Sequence, residues 1–164
     1  NHKTLMNEND KKELGKIKIS SIAANKKIIF KDLSFINEIA IFGLGWSYDH
    51  TDQSLWSDGE TSSIIFRPKI DVKKFKIILD VEAYIRPKNN TQEIKIFLNG
   101  IFKKKVIFNK KQKRNESLTI EIEDLNQDLI LVEFYAINPK SPFDLLETVD
   151  TRKKGIKIHS LTLK

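Results

Sequence analysis

The chain contains no cysteine, only four prolines and six glycines in 164 residues, and four arginines against 25 lysines. Without cysteine there is no disulfide framework, no thiolate zinc site and no cysteine nucleophile. No apolar run approaches the roughly 20 residues that span a bilayer as a helix. No charged stretch followed by an apolar one marks a secretory leader at Asn1. The chain opens on Asn rather than Met, as expected of a module cut from a longer protein. The scarcity of arginine argues against specific nucleic-acid recognition despite a net charge of +7, because bidentate phosphate contact favours the guanidinium.

Alternation of apolar and polar residues with period two dominates, and helical periodicity is scarce. Phe75–Ile85 carries apolar residues at every odd position, and Leu118, Ile120 and Ile122 alternate with Thr119, Glu121 and Glu123. Ile94, Ile96 and Leu98 lead into Asn99-Gly100 and then Ile101-Phe102, a hairpin whose turn tolerates positive φ. Asp128–Ile137 reads as a central strand covered on both faces. Gly155–Leu163 slips phase near His159-Ser160, which predicts a bulge. Gly15–Ser20, Lys27–Leu33, Ile36–Phe42 and Ser62–Arg67 complete about ten strands, with the two terminal strands expected side by side. The fold expected is all-β, an antiparallel β-sandwich of jelly-roll type with little helix. Residues 1–14 form a flexible or short helical lead-in, and residues 15–164 a single domain. The connection that begins Asn138-Pro139-Lys140-Ser141-Pro142 holds one helical turn at Pro142–Glu147.

Both tryptophans fall in one polar segment, residues 46–60. An indole pair beside hydroxyls and carboxylates suits an amphipathic ligand such as a sugar, with Trp46, Tyr48, His50, Asp52, Trp56 and Asp58 as binding residues. The same indoles equally suit a plug at the end of a sandwich core. Asp49, Asp52 and Asp58 supply hard oxygens that fit calcium better than zinc, at a spacing that matches no defined calcium loop. His50, Tyr48 and a neighbouring Asp are also the residue types a small lyase or hydrolase would need. No dinucleotide loop, phosphate loop or nucleophile elbow is present; Gly43-Leu44-Gly45 lacks its third glycine and a βαβ context. Lys103, Lys104, Lys105, Lys110, Lys111, Lys113 and Arg114 form a basic run. It suits an anionic glycan or membrane surface, or a strand edge solvated against aggregation. Asp150 and Arg152 are placed to clamp the 138–155 connection, with Arg152 expected mostly buried.

Gly45-Trp46-Ser47, Leu55-Trp56-Ser57-Asp58-Gly59, Phe97-Leu98-Asn99-Gly100, Asn138-Pro139-Lys140-Ser141-Pro142 and Asp150-Thr151-Arg152-Lys153-Lys154-Gly155-Ile156 occur in that order. Together they resemble the carbohydrate-binding-like jelly-roll accessory domains of bacterial glycosyltransferases and phosphoglycerol-transferase-like proteins of cell-surface polysaccharide synthesis. One position departs: the family's Glu shortly before Trp-Ser is here Asp52 or His50. The resemblance implies a non-catalytic, carbohydrate-associated module whose partner is a sugar or a catalytic domain of the same protein. Any transferase chemistry would then lie elsewhere in that protein, which works in the bacterial cytoplasm or envelope and is membrane-associated through its other parts.

Overall fold

A computed structural model describes residues 6–30, 40–42, 45–49, 54–109, 116–124 and 127–164. One helix precedes the strands: α1, Glu8–Leu14. The strands are β1 (Ser21–Ala23), β2 (Lys27–Ile29), β3 (Ala40–Phe42), β4 (Trp46–Asp49), β5 (Ser54–Asp58) and β6 (Thr61–Lys69). They continue with β7 (Phe75–Ala83), β8 (Thr91–Leu98), β9 (Ile101–Asn109), β10 (Glu116–Ile122), β11 (Ile130–Ile137) and β12 (Lys154–Leu163). One sheet runs β1-β6-β11-β8-β9 with β3 also on β6, and the other runs β10-β7-β12-β5-β4 with β2 also on β12. All pairings are antiparallel except β1 with β6.

The period-two pattern sorts each strand's faces. Ile64 and Phe66 on one sheet and Ile77, Leu79 and Val81 on the other turn inward with Ile96, Phe134, Ile158 and Leu161 into one core. Burying each such side chain contributes about 1.5–3 kcal/mol. Asn99 and Gly100 adopt φ of 49° and 83°, the left-handed pair a two-residue hairpin demands. The β12 bulge falls between Ile158 and Ser160 against β7. A second irregularity against β5, between Lys154 and Lys157, has no counterpart in the sequence pattern.

Gly15–Ser20 is not a strand. Gly15 closes α1, its amide donating to the Lys11 carbonyl and that of Lys16 to the Glu13 carbonyl, and Arg67 donates to the Ile17 and Ile19 carbonyls that a ladder would have used. The strand beside β12 near the N-terminal end is therefore β2. Helix α1 begins with a reciprocal capping box between Asn7 and Asp10, which satisfies two of the donors a helix start exposes. Met6 and Leu14 pack with Leu129, Ile65 and Leu131 on the outer face of the first sheet. Glu133 lies on that face too, and burial, then the Asp10 charge, push its carboxyl above the ordinary range. Residues 31–39 of the predicted second and third strands lie outside the described residues, as do 110–115 of the basic run.

Candidate functional site

Four of the five sequence motifs meet at one end of the second sheet. Gly45 has φ of +92°, and a Cβ there would stand 1.9 Å from the Thr61 carbonyl oxygen. Its own carbonyl accepts from Asp58 N at 2.7 Å. The Ser57 hydroxyl accepts from Gly155 N at 3.1 Å and Ile156 N at 2.9 Å, satisfying both donors of the β12 irregularity. Asp58 Oδ1 accepts from Lys153 N at 2.9 Å. The predicted turn after Ser141 is capped reciprocally: Ser141 N donates to Asp144 Oδ2, and Asp144 N donates to the Ser141 hydroxyl.

Arg152 ties this end together. It grips Asp150 bidentately, Nε to Oδ1 at 2.9 Å and Nη2 to Oδ2 at 2.7 Å. Its Nη1 reaches the Ser47 hydroxyl at 2.9 Å and the Tyr48 carbonyl at 3.5 Å. Its side chain is part-buried, with 37% exposed, rather than fully enclosed. Arg152→Ala should therefore cost about 1–2 kcal/mol rather than the 2–4 expected of a buried charged group. Urea denaturation measures it, and a loss below about 0.5 kcal/mol would place Arg152 among ordinary surface residues.

The indoles do not form the open pair that the sequence suggested. Trp46 points inward, packs edge-on to Phe134 with centroids 6.2 Å apart, and donates Nε1–H to the Ser63 carbonyl at 2.8 Å. Trp56 points the other way and is 5% exposed. It meets Tyr84 edge-on at 5.7 Å under Leu145 of the connection, forming a second small core outside the sandwich. Lys157 Nζ lies 5.3 Å from the Trp56 ring centre, and Lys154 Nζ lies 5.7 Å away, cation–π contacts that cover the indole. Tyr48 is half-buried; His50 and Asp52 lie outside the described residues, and so does the Asp49 side chain. Among the described residues no group of three or more His, Asp and Glu is placed to hold a metal ion.

Strand register brings together residues that the sequence does not. Ser47 on β4 lies opposite Trp56 on β5, Trp56 opposite Lys157 on β12, and Lys157 opposite Glu82 on β7. This row crosses four strands of the outer face, roughly 14 Å at ordinary strand spacing. Arg152 closes one end at Ser47. At the other, Glu82 Oε2 lies 3.8 Å from Lys157 Nζ and 3.4 Å from His159 Nε2, with side-chain exposures of 10% for Lys157 and 17% for Glu82. The next pair along, Ser160 and Asp80, is joined by a 2.6 Å hydrogen bond from hydroxyl to carboxylate. The even positions of Phe75–Ile85 marked Asp80 and Glu82 as outward, but only the pairing of β7 with β12 reveals their partners.

Of the basic run, Lys103 is exposed, Lys104 donates to the Thr119 carbonyl at 2.8 Å, and Lys105 pairs with Glu93 at 3.4 Å. Lys110, Lys111, Lys113 and Arg114 lie outside the described residues.

No protein-family profile matches the chain, and no curated protein is significantly similar in sequence. Solved structures resemble its chain path. One is the family 6 carbohydrate-binding module of a marine laminarinase from Zobellia galactanivorans. It is 7% identical at a TM-score of 0.46, over 85% of this chain and 98% of that one. Another is a family 36 module of a multidomain xylanase from the hindgut metagenome of Trinervitermes trinervoides. It is 10% identical at 0.48, over 76% and 96%. A family 35 module from Clostridium thermocellum is 14% identical at 0.44, over 84% and 97%.

The carboxyls of the connection respond to pH in a defined direction. The Lys153 ammonium and the Ser141 amide hold Asp144 down at about 2, and the Arg152 guanidinium holds Asp150 well below the usual carboxylate range. Groups depressed in the folded state contribute fully above the unfolded value, near pH 4, and lose that contribution as pH falls through the folded value. Trp56 fluorescence, sensitive to the overlying connection, should thus hold steady from neutral pH to about pH 4 and change only below it. A transition between about pH 5 and 6 would require a different titrating group.

Proposed function

We infer that this domain is a non-catalytic carbohydrate-binding module, serving a bacterial protein that assembles or modifies surface glycans. The observation that carries this reading is the row Ser47–Trp56–Lys157–Glu82, whose covered centre holds polar groups at its two ends, Ser47 with Arg152 at one and Glu82 with His159 at the other. A sheet holds these donors and acceptors at fixed spacing, so little ordering cost remains when a chain of hydroxyls meets them. The ordered motif set supports the link to glycan assembly, with any transferase chemistry in a partner domain. With Trp56 buried and Trp46 partly buried against the core, the contact shifts from ring stacking to hydrogen bonding at the Glu82–His159 end and the Tyr48–Arg152 rim.

Titration with neutral oligosaccharides, followed by amide shifts in NMR, tests this. Perturbations should cluster on β7, β12 and residues 47–48 with affinity near millimolar, about 4 kcal/mol. Glu82→Gln with His159→Ala should weaken binding at least fivefold while the fold persists. Uniformly unshifted spectra with neutral and acidic oligosaccharides alike would remove the sugar reading and leave a domain-docking role.

A further inference from the structure

The connection between β11 and β12 turns a closed loop outward. Phe143 N donates to the Asp150 carbonyl at 2.9 Å, and Leu146 N donates to the Phe143 carbonyl at 3.0 Å. Leu145 is the inward root of this loop, buried against Trp56 and Tyr84. Three other apolar side chains face solvent: Phe143 at 55%, Leu146 at 83% and Val149 at 90% exposure. Leu146 also adopts φ of +60°, a left-handed conformation that disfavours a branched residue and that Asn adopts readily. A solvated loop gains nothing from leucine there.

The charges around these tips share one bias. Cations Arg86, Lys88, Lys140, Arg152 and Lys153 border the loop, and the largely covered Lys154 lies over the Trp56 and Tyr84 rings, against the acids Asp144, Glu147 and Asp150. Each acid is already held by a cation: Asp144 by Lys153, Glu147 by Arg86, and Asp150 by Arg152 and Lys154. Lys88 donates to the Leu145 carbonyl and Lys140 to the Asn138 amide oxygen, so both bring positive charge to the loop's flanks with no carboxylate partner among the described residues.

We propose that the Phe143–Val149 loop inserts its apolar tips into the headgroup region of an anionic bilayer, with the flanking cations on the lipid phosphates. Apolar tips that stand clear one by one fit a deformable lipid phase, which needs no preformed pocket for each. A basic collar around an apolar insert is the combination that holds peripheral proteins on acidic membranes. This surface shares Arg152 with the rim of the Ser47–Glu82 row, but its tips Phe143, Leu146 and Val149 take no part in that row, so variants at the tips test it independently of sugar binding.

Flotation of the purified domain with vesicles tests it, using phosphatidylcholine alone or phosphatidylcholine mixed with a quarter of phosphatidylglycerol. Binding is expected to the mixed vesicles, weaker by several-fold in about 0.5 M salt than in 0.1 M, and little to the neutral ones. Leu146→Asn with Val149→Ser should lower the partition about tenfold or more. Leu146→Asn suits the local backbone, so the fold is retained, as circular dichroism checks. Lys103→Gln with Lys105→Gln, on β9, should leave partition unchanged. Absence of flotation with acidic vesicles overturns the proposal. So does partition that survives the loop variant, or that is lost with the β9 variant instead. Capture of a protein domain by the loop without lipid binding would assign the surface to a protein partner and likewise overturn it.

Discussion

Gly45→Ala is expected to cost at least about 3 kcal/mol, the largest effect of a glycine-to-alanine change among the described residues. Two penalties add. The backbone at φ +92° strains any residue with a Cβ, and that Cβ would fall 1.9 Å from the Thr61 carbonyl oxygen. The clash is with backbone, so no side-chain rotation relieves it, and β4 must move away from the start of β6. Trp46 follows directly, and its bond to the Ser63 carbonyl would be lost with that movement. Denaturant unfolding measures the cost. Gly59, also at positive φ but with open space around its missing Cβ, provides the comparison: Gly59→Ala carries the conformational part without the collision. Equal losses at both glycines would refute the close-approach account.

Ser57→Ala should cost about 2–4 kcal/mol, because two buried amides depend on one hydroxyl. Ser57 is buried, and its oxygen is the acceptor for Gly155 and Ile156 where β12 carries two residues opposite one. Alanine fits the space but leaves both N–H groups without that acceptor. Amide exchange reads the result locally: Gly155 and Ile156 should lose protection before the rest of β12. A loss under about 0.5 kcal/mol would mean that the irregularity closes on itself without the serine.

These two positions show how much of the fold was legible. Strand periodicity placed nearly every long strand, because one face of each lies on a shared core and the other on solvent. The Asn99-Gly100 turn and the slip near His159 were readable for the same local reason. What was not readable is three-dimensional pairing. Tyr84 sits on the polar side of its strand's alternation, yet it is almost wholly buried because Leu145 comes over it from 61 positions later in the chain. Gly15–Ser20 alternates like a strand but spends its carbonyls on Arg67. The motifs read as a ligand loop, Gly-Trp-Ser and Trp-Ser-Asp-Gly, also make the hydrogen bonds that join one corner, which their spacing alone does not reveal. The candidate binding row was hidden because Glu82 and Lys157 meet only through the register of β7 and β12.

That register also sets an order of events during synthesis. β12 joins β7 on one side and both β5 and β2 on the other, and it follows all of them in the chain. Until it leaves the ribosome, β7 and β5 lack the strand that sits between them, and their core-facing rows stay uncovered. The first sheet can assemble earlier, since β6, β8 and β11 all precede the last strand. A nascent chain stalled before Lys154 should therefore hold half a sandwich with an open apolar face, the stage at which a chaperone would be needed most.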